Sequence, residues 1–107
     1  MIQRIWHGWT APHNADAYEE LLKEEIFTGI QDRGIPGLSH IRLVRRPQET
    51  EVEFIVLMTF ESLDAVRAFA GEDYEQAYIP DQAKLVLARY DERAQHYEVR
   101  VDRNVPA

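Results

Sequence analysis

Cysteine is absent from this chain, which removes disulfides, thiolate nucleophiles and zinc–thiolate sites together. Long apolar runs are also missing. No stretch approaches the roughly 20 residues of a membrane helix, and the opening MIQRIWHGWT lacks the apolar core of a signal peptide. A cytoplasmic protein away from membranes is therefore the expectation. Positive charge is scarce: 12 Lys and Arg face 19 Asp and Glu, for a net charge of -7 at pH 7. Polyanions are repelled on average, and no basic aromatic stripe is present, so nucleic acid is not an expected partner. Arg42, Arg45 and Arg46 form the one local basic cluster, placed to solvate the end of a strand. The spacings HxH and HExxH do not occur, and no metal site is expected. GxGxxG, GxxxxGK[ST] and GxSxG are missing as well, which leaves dinucleotide, P-loop and α/β-hydrolase readings without support.

What is present is one domain, residues 1–107, with 45% hydrophobic and 29% charged residues, ordinary for a folded protein. Its most informative stretch is Val52–Phe60. Val52, Phe54, Val56, Met58 and Phe60 alternate on one side of a predicted strand, while Ile55, Leu57 and Thr59 occupy the other. Residues 2–9 predict a first strand, ended by Thr10 to His13 with its Pro12. Asn14 is placed to cap a helix whose Tyr18, Leu21, Leu22, Ile26 and Ile30 recur at helical spacing. Pro36 and Gly37 turn the chain into a second strand over residues 38–46, and residues 47–50 make a polar hairpin turn. Ser62 caps a second helix that buries Leu63, Val66 and Phe69 and stops at Gly71. Pro80 and Asp81 open a further helix carrying Leu85 and Val86. Residues 95–102 then alternate again, with Tyr97, Val99 and Val101 on one face and His96, Glu98 and Arg100 on the other.

The order strand, helix, strand, strand, helix, strand is the βαββαβ pattern of an α+β ferredoxin-like domain, with helices on one face of an antiparallel sheet. In that topology the first and last strands are antiparallel neighbours, so residues near His7 approach residues near His96. A small two-layer domain can cover only one face of its sheet. The apolar second face of Val52–Phe60 calls for a partner, most simply a second copy of the chain packed sheet to sheet.

Several segments carry a family resemblance: RIWHG at residues 4–8, FESLDAVRAFAGEDYE at residues 60–75, and HYEV at residues 96–99. They resemble the antibiotic-biosynthesis-monooxygenase-like group of dimeric α+β barrels, over nearly the whole chain. That resemblance implies a homodimer and a small aromatic or quinone-type substrate, oxidised without a bound cofactor. It also leaves room for a non-catalytic small-molecule-binding protein or a haem-binding one. The haem-degrading branch, as the resemblance is usually drawn, has an asparagine on the first strand and a tryptophan and ligating histidine around the second helix. Here the first strand offers Trp6 and His7, and residues 62–76 contain neither tryptophan nor histidine.

Candidate catalytic residues are His7 and Tyr74; candidate substrate contacts are Trp6, Trp9, Tyr78 and His96. His7 can serve as a general base or hydrogen-bond partner for a phenol. Its other reading is a buried histidine paired with a backbone carbonyl or a neighbouring strand's carboxylate. Trp6 and Trp9 can wall a pocket for a flat ligand, or fill the core and the dimer seam. Tyr74 and Tyr78 follow Gly71 in a region expected to cover the sheet, where a hydroxyl can donate to a substrate oxygen. His96 is expected on the polar face beside Glu98 and Arg100.

Overall fold

The computed structural model describes residues 1–106. Five antiparallel strands form one sheet: β1 (Ile2–Thr10), β2 (Leu38–Pro47), β3 (Val52–Phe60), β4 (Leu87–Tyr90) and β5 (Gln95–Glu98). The sheet runs β2–β3–β1, and the free edge of β1 is shared by β4 on residues 8–10 and β5 on residues 2–5. First and last strands are therefore neighbours, with Arg4 opposite His96. The architecture is the α+β ferredoxin-like one that the element order predicts, with β4 added.

Strand β3 sets the layering. Phe54 and Phe60 are wholly buried, and Val52, Val56 and Met58 join them on the side that the helices cover. Across β1 the register pairs Trp6 with Val56 and Arg4 with Met58, so the same side of β1 carries Arg4, Trp6, Gly8 and Thr10, all buried. Ile5, His7 and Trp9 point to the opposite face, with Glu53, Ile55 and Leu57 of β3. These side chains are only partly covered and take no part in the core cluster.

The first helical run begins after a 3-10 turn at Pro12–Asn14 and comprises α1 (Ala15–Leu21), a π turn (Leu22–Ile26) and α2 (Phe27–Asp32). Asn14 precedes α1, but its side chain makes no capping hydrogen bond, which corrects that expectation. The cause is local: the 3-10 turn holds Asn14 at φ -100 and ψ -4, away from the extended backbone that turns a cap's side chain toward the first amides. Tyr18 meets the edge of Phe54 at 4.9 Å between ring centroids and docks the run on the sheet. Arg45 on β2 reaches Asp16 at 2.9 Å and Glu19 at 3.1 Å, tying the strand to this helix.

Helix α3 (Leu63–Ala70) starts where Ser62 Oγ accepts from the Ala65 amide at 3.2 Å, and it ends at Gly71, whose φ of +89 suits glycine. Helix α4 (Asp81–Val86) follows Pro80 and buries Ala83, while Leu85 is 84% exposed. Among the described residues no helix is long and apolar enough to cross a membrane.

Candidate functional site

A cavity of about 500 Å³ lies between the helix-covered face of the sheet, the first helical run and the loop before α4. Its sheet wall is Trp6, Val56 and Met58; Tyr18, Leu22 and Ile26 face them from the helix; Ala77 and Ile79 close one side. That volume falls within the range of about 300–1,000 Å³ common for ligand sites, and apolar walls of this kind suit flat organic molecules.

Local sequence explains the shape. The π turn at Leu22–Ile26 adds a residue to the helical turn and presents Leu22, Glu25 and Ile26 to the cavity, a placement typical of functional helices. Gly8 leaves room for the Trp6 ring: a methyl group at Gly8 would sit 2.5 Å from Trp6 Cη2. The indole N–H of Trp6 donates to the Asp91 carbonyl at 2.7 Å, which fixes the ring in the wall. The loop over the cavity is pinned to residues 92–94. Ala77 donates to the Glu92 carbonyl at 2.9 Å, Ala94 to the Glu75 carbonyl at 2.7 Å, and Arg93 pairs with Asp73 at 2.8 Å.

One buried cation stands in this wall. Arg4 is 6% exposed, and its Nη1 donates to the Tyr74 carbonyl at 2.6 Å and lies 3.1 Å from His96 Nε2. Its guanidinium carbon sits 5.3 Å from the Phe69 ring centroid. Burial lowers the Arg4 pKa to about 10, partly offset by the charge of Glu75, so the group remains a cation at neutral pH. His96 is pushed below its ordinary value, first by burial and then by the positive charge of Arg4. Arginine can only donate, so His96 Nε2 must accept, and the imidazole is neutral with its proton on Nδ1. That Nδ1 is buried and lies 3.6 Å from Glu75 Oε2, too far for a hydrogen bond. The Tyr74 ring meets His96 edge-on at 5.1 Å.

The residues singled out in the sequence thus separate into two groups. Trp6 lines the cavity, Tyr78 stands at its rim with 85% exposure, and Tyr74 and His96 pack behind Arg4. His96 points inward, away from the polar face expected for it, because its partner across β1 is the buried Arg4 and its ring is covered by Tyr74. His7 and Trp9 lie on the opposite face of the sheet and are not brought to this cavity. His7 Nδ1 is 3.1 Å from Glu53 Oε2 on the neighbouring strand, the carboxylate pairing that its other reading describes. Its ring stacks on Trp9 at 6.0 Å, and Arg89 covers Trp9 at 3.8 Å. Strand parity decides the matter: Trp6 and His7 are adjacent, so only one of them can face the helices. Arg4, the first residue of the RIWHG segment, lines the cavity but is not among the candidate site residues, although its parity with Trp6 is a usable signal. Tyr18 stands out there only as a member of the helical stripe.

Among the described residues no group of three or more His, Asp or Glu is arranged to hold a metal. Of the side chains that can hold a haem iron, the cavity offers Met58 and two phenols, Tyr18 in its wall and Tyr78 at its exposed rim. No histidine or cysteine lines it, and burial raises the pKa of Tyr18, holding its phenol protonated. The donor set lacks the histidine or thiolate that most often holds a haem iron.

This geometry defines an α+β protein with a small-molecule-sized cavity between sheet and helices, and solved structures place it further. A Bacillus cereus protein named for antibiotic biosynthesis monooxygenases superposes with a TM-score of 0.67 at 15% identity, covering 97% of each chain. The haem degrader MhuD of Mycobacterium tuberculosis, with two haems in its active site, superposes with a TM-score of 0.59 at 21% identity, covering 97% of this chain and all of that one. A single-substitution mutant of MhuD with two manganese protoporphyrins per active site gives a TM-score of 0.59 at 22% identity, over 98% of this chain and all of that one. The chain has the fold of the antibiotic-biosynthesis-monooxygenase-like proteins. Neither a protein-family model nor a curated protein matches this sequence.

Proposed function

We propose that this protein binds a small aromatic or quinone-type molecule in the cavity between Trp6 and Tyr18, and oxidises it with dioxygen as a monooxygenase-like enzyme. The observation that carries the reading is the cavity itself: about 500 Å³, walled mainly by apolar and aromatic side chains on the helix-covered face. The fold shared with a protein named for antibiotic biosynthesis monooxygenases supports it. The chemistry is balanced without an added reductant when the substrate is an anthrone. Its methylene gives up both hydrogens, one oxygen atom becomes the new carbonyl, and the other leaves as water. The chain's own contribution is to hold the ring, to exclude water and to favour the ionised substrate through the positive charge of Arg4. Oxygen-electrode measurements with anthrone test this. Consumption that saturates with substrate and falls in Trp6→Ala supports it, and a rate equal to the buffer blank refutes it.

One observation favours a second reading, binding without turnover: no imidazole lines the cavity to act as base. Under that reading a flat ligand raises the melting temperature while oxygen consumption stays at the blank. In either reading a second copy of the chain covers the open face of the sheet, where Ile5, Ile55, Leu57 and Trp9 lie outside the core. His7 and Glu53 then sit at the seam between copies. Sedimentation at micromolar concentration as a dimer is the expected result, and a stable monomer would contradict it.

A further inference from the structure

We infer that Arg4 is an anion receptor, and that the molecule bound in the cavity carries a planar oxyanion, a carboxylate or a phenolate, docked on the free edge of its guanidinium. The inference rests on the cavity being the ligand site and adds what chemistry the ligand must carry. Both protein hydrogen bonds of Arg4 use Nη1, to the Tyr74 carbonyl and toward His96 Nε2. Among the described residues Nε and Nη2 take no hydrogen bond. Those two N–H groups form the edge that grips a carboxylate with two parallel bonds.

The electrostatics point the same way. A cation this buried normally sits against a carboxylate, yet no acidic oxygen lies within 4.0 Å of the Arg4 guanidinium among the described residues; its contacts there are a carbonyl, a neutral imidazole and the Phe69 face. Glu75 acts on Arg4 only through its charge, and burial lowers the Arg4 pKa despite it. Arg33 also lines the cavity, but it is exposed and its Nη2 is engaged by the Ala68 and Phe69 carbonyls. His96 is a positioning residue here: accepting from Nη1, it turns the guanidinium so that the opposite edge is left for the cavity.

The test uses a matched pair of probes on the wild-type protein, 2-naphthoate and 2-naphthamide, by titration calorimetry at pH 7.5. The two share shape and ring area, and only the first is an anion. The carboxylate is expected to bind at least tenfold more tightly. In Arg4→Met that advantage disappears while the amide binds within about twofold of its wild-type affinity; in Arg33→Gln the advantage persists. A third probe, 4-nitro-1-naphthol, separates the two sources of the oxyanion. If it binds below its solution pKa with the absorbance of its anion, phenolates are accepted as well as carboxylates. If it binds without that absorbance while naphthoate keeps its advantage, the receptor is for carboxylates. Equal affinity for naphthoate and naphthamide overturns the assignment and leaves the cavity as a binding site. So does a preference that survives in Arg4→Met. Binding of neither probe overturns the anion receptor and the cavity reading together. Should Arg4→Met fail to fold, the same pair measured on wild type and on Arg33→Gln still decides. Arg4 and Arg33 are the cations in the lining, so an advantage that persists in Arg33→Gln belongs to Arg4 and one that is lost there overturns the assignment.

Discussion

Replacing Gly8 by alanine is a small change with a large expected effect. The backbone of Gly8 is ordinary strand, paired with Phe54 on one side and Tyr90 on the other, so alanine introduces no conformational strain of its own. The new methyl group, however, would lie 2.5 Å from Trp6 Cη2, 3.0 Å from Cζ3 and 3.1 Å from Leu87 Cδ2. Leu87 can yield by rotating. Trp6 cannot, because its indole N–H is held by the Asp91 carbonyl at 2.7 Å and its ring is packed in the wall. Overpacking of this kind costs about 1–3 kcal/mol, and losing the indole hydrogen bond adds about 0.5–1.5 kcal/mol if the ring swings away. For a domain of this size 1 kcal/mol moves the melting temperature by about 4–8 °C. A fall of at least about 4 °C is therefore expected by calorimetry. The decisive comparison is a double-mutant cycle. In a Trp6→Leu background the same Gly8→Ala change should cost less than about 0.5 kcal/mol, since the ring atoms are gone and Leu87 Cδ2, the remaining close contact, can rotate away. A cost unchanged by Trp6→Leu would refute the claim that Gly8 is small in order to seat the tryptophan.

Other expected outcomes are simpler. The His96 pKa is depressed in the folded protein, so the unfolded chain binds its proton more readily. Stability from this group is then complete above about pH 6.5, the ordinary histidine value, and declines as pH falls below it. The wild-type melting temperature should drop more between pH 7.5 and 5.5 than that of His96→Gln; parallel curves would contradict the assignment. Ser62→Ala removes the acceptor for the Ala65 amide and should cost about 0.5–2 kcal/mol in urea unfolding. Adding haemin should produce no saturable Soret shift, because the cavity offers neither imidazole nor thiolate to the iron.

Much of the fold is legible in the residues, and the reasons are local. Val52–Phe60 can be bounded to the residue because alternation runs unbroken between two polar turns. Helix α3 is equally plain, with a serine cap and a glycine stop. Strand β4 escapes a sequence reading because Leu85, Val86 and Leu87 follow Pro80 and Asp81 as one apolar run that suits a continuing helix. Only pairing with β1 makes Leu87 extended. The alternation of residues 95–102 overstates the last strand, since β5 ends at Glu98 where Val99 bonds the Met1 carbonyl and the partner strand runs out.

The site is harder to read than the fold. A strand shows which residues share a face but not which face the helices cover. His7 draws notice for its chemistry, while Arg4, which shares the buried face with Trp6, looks like an ordinary charged residue. Burying an arginine runs against composition-based reading, and the cavity depends on a loop held by bonds between residues 75–77 and 92–94. No local pattern announces such bonds.

The claim that function resides on the helix-covered face can be checked by transferred magnetisation from bound 2-naphthoate to assigned methyl groups in solution NMR. Contacts to the Met58, Val56 and Leu22 methyls, which wall the cavity, are the expected result. Contacts confined to Ile5, Ile55 and Leu57, on the opposite side of the same strands, would contradict the claim.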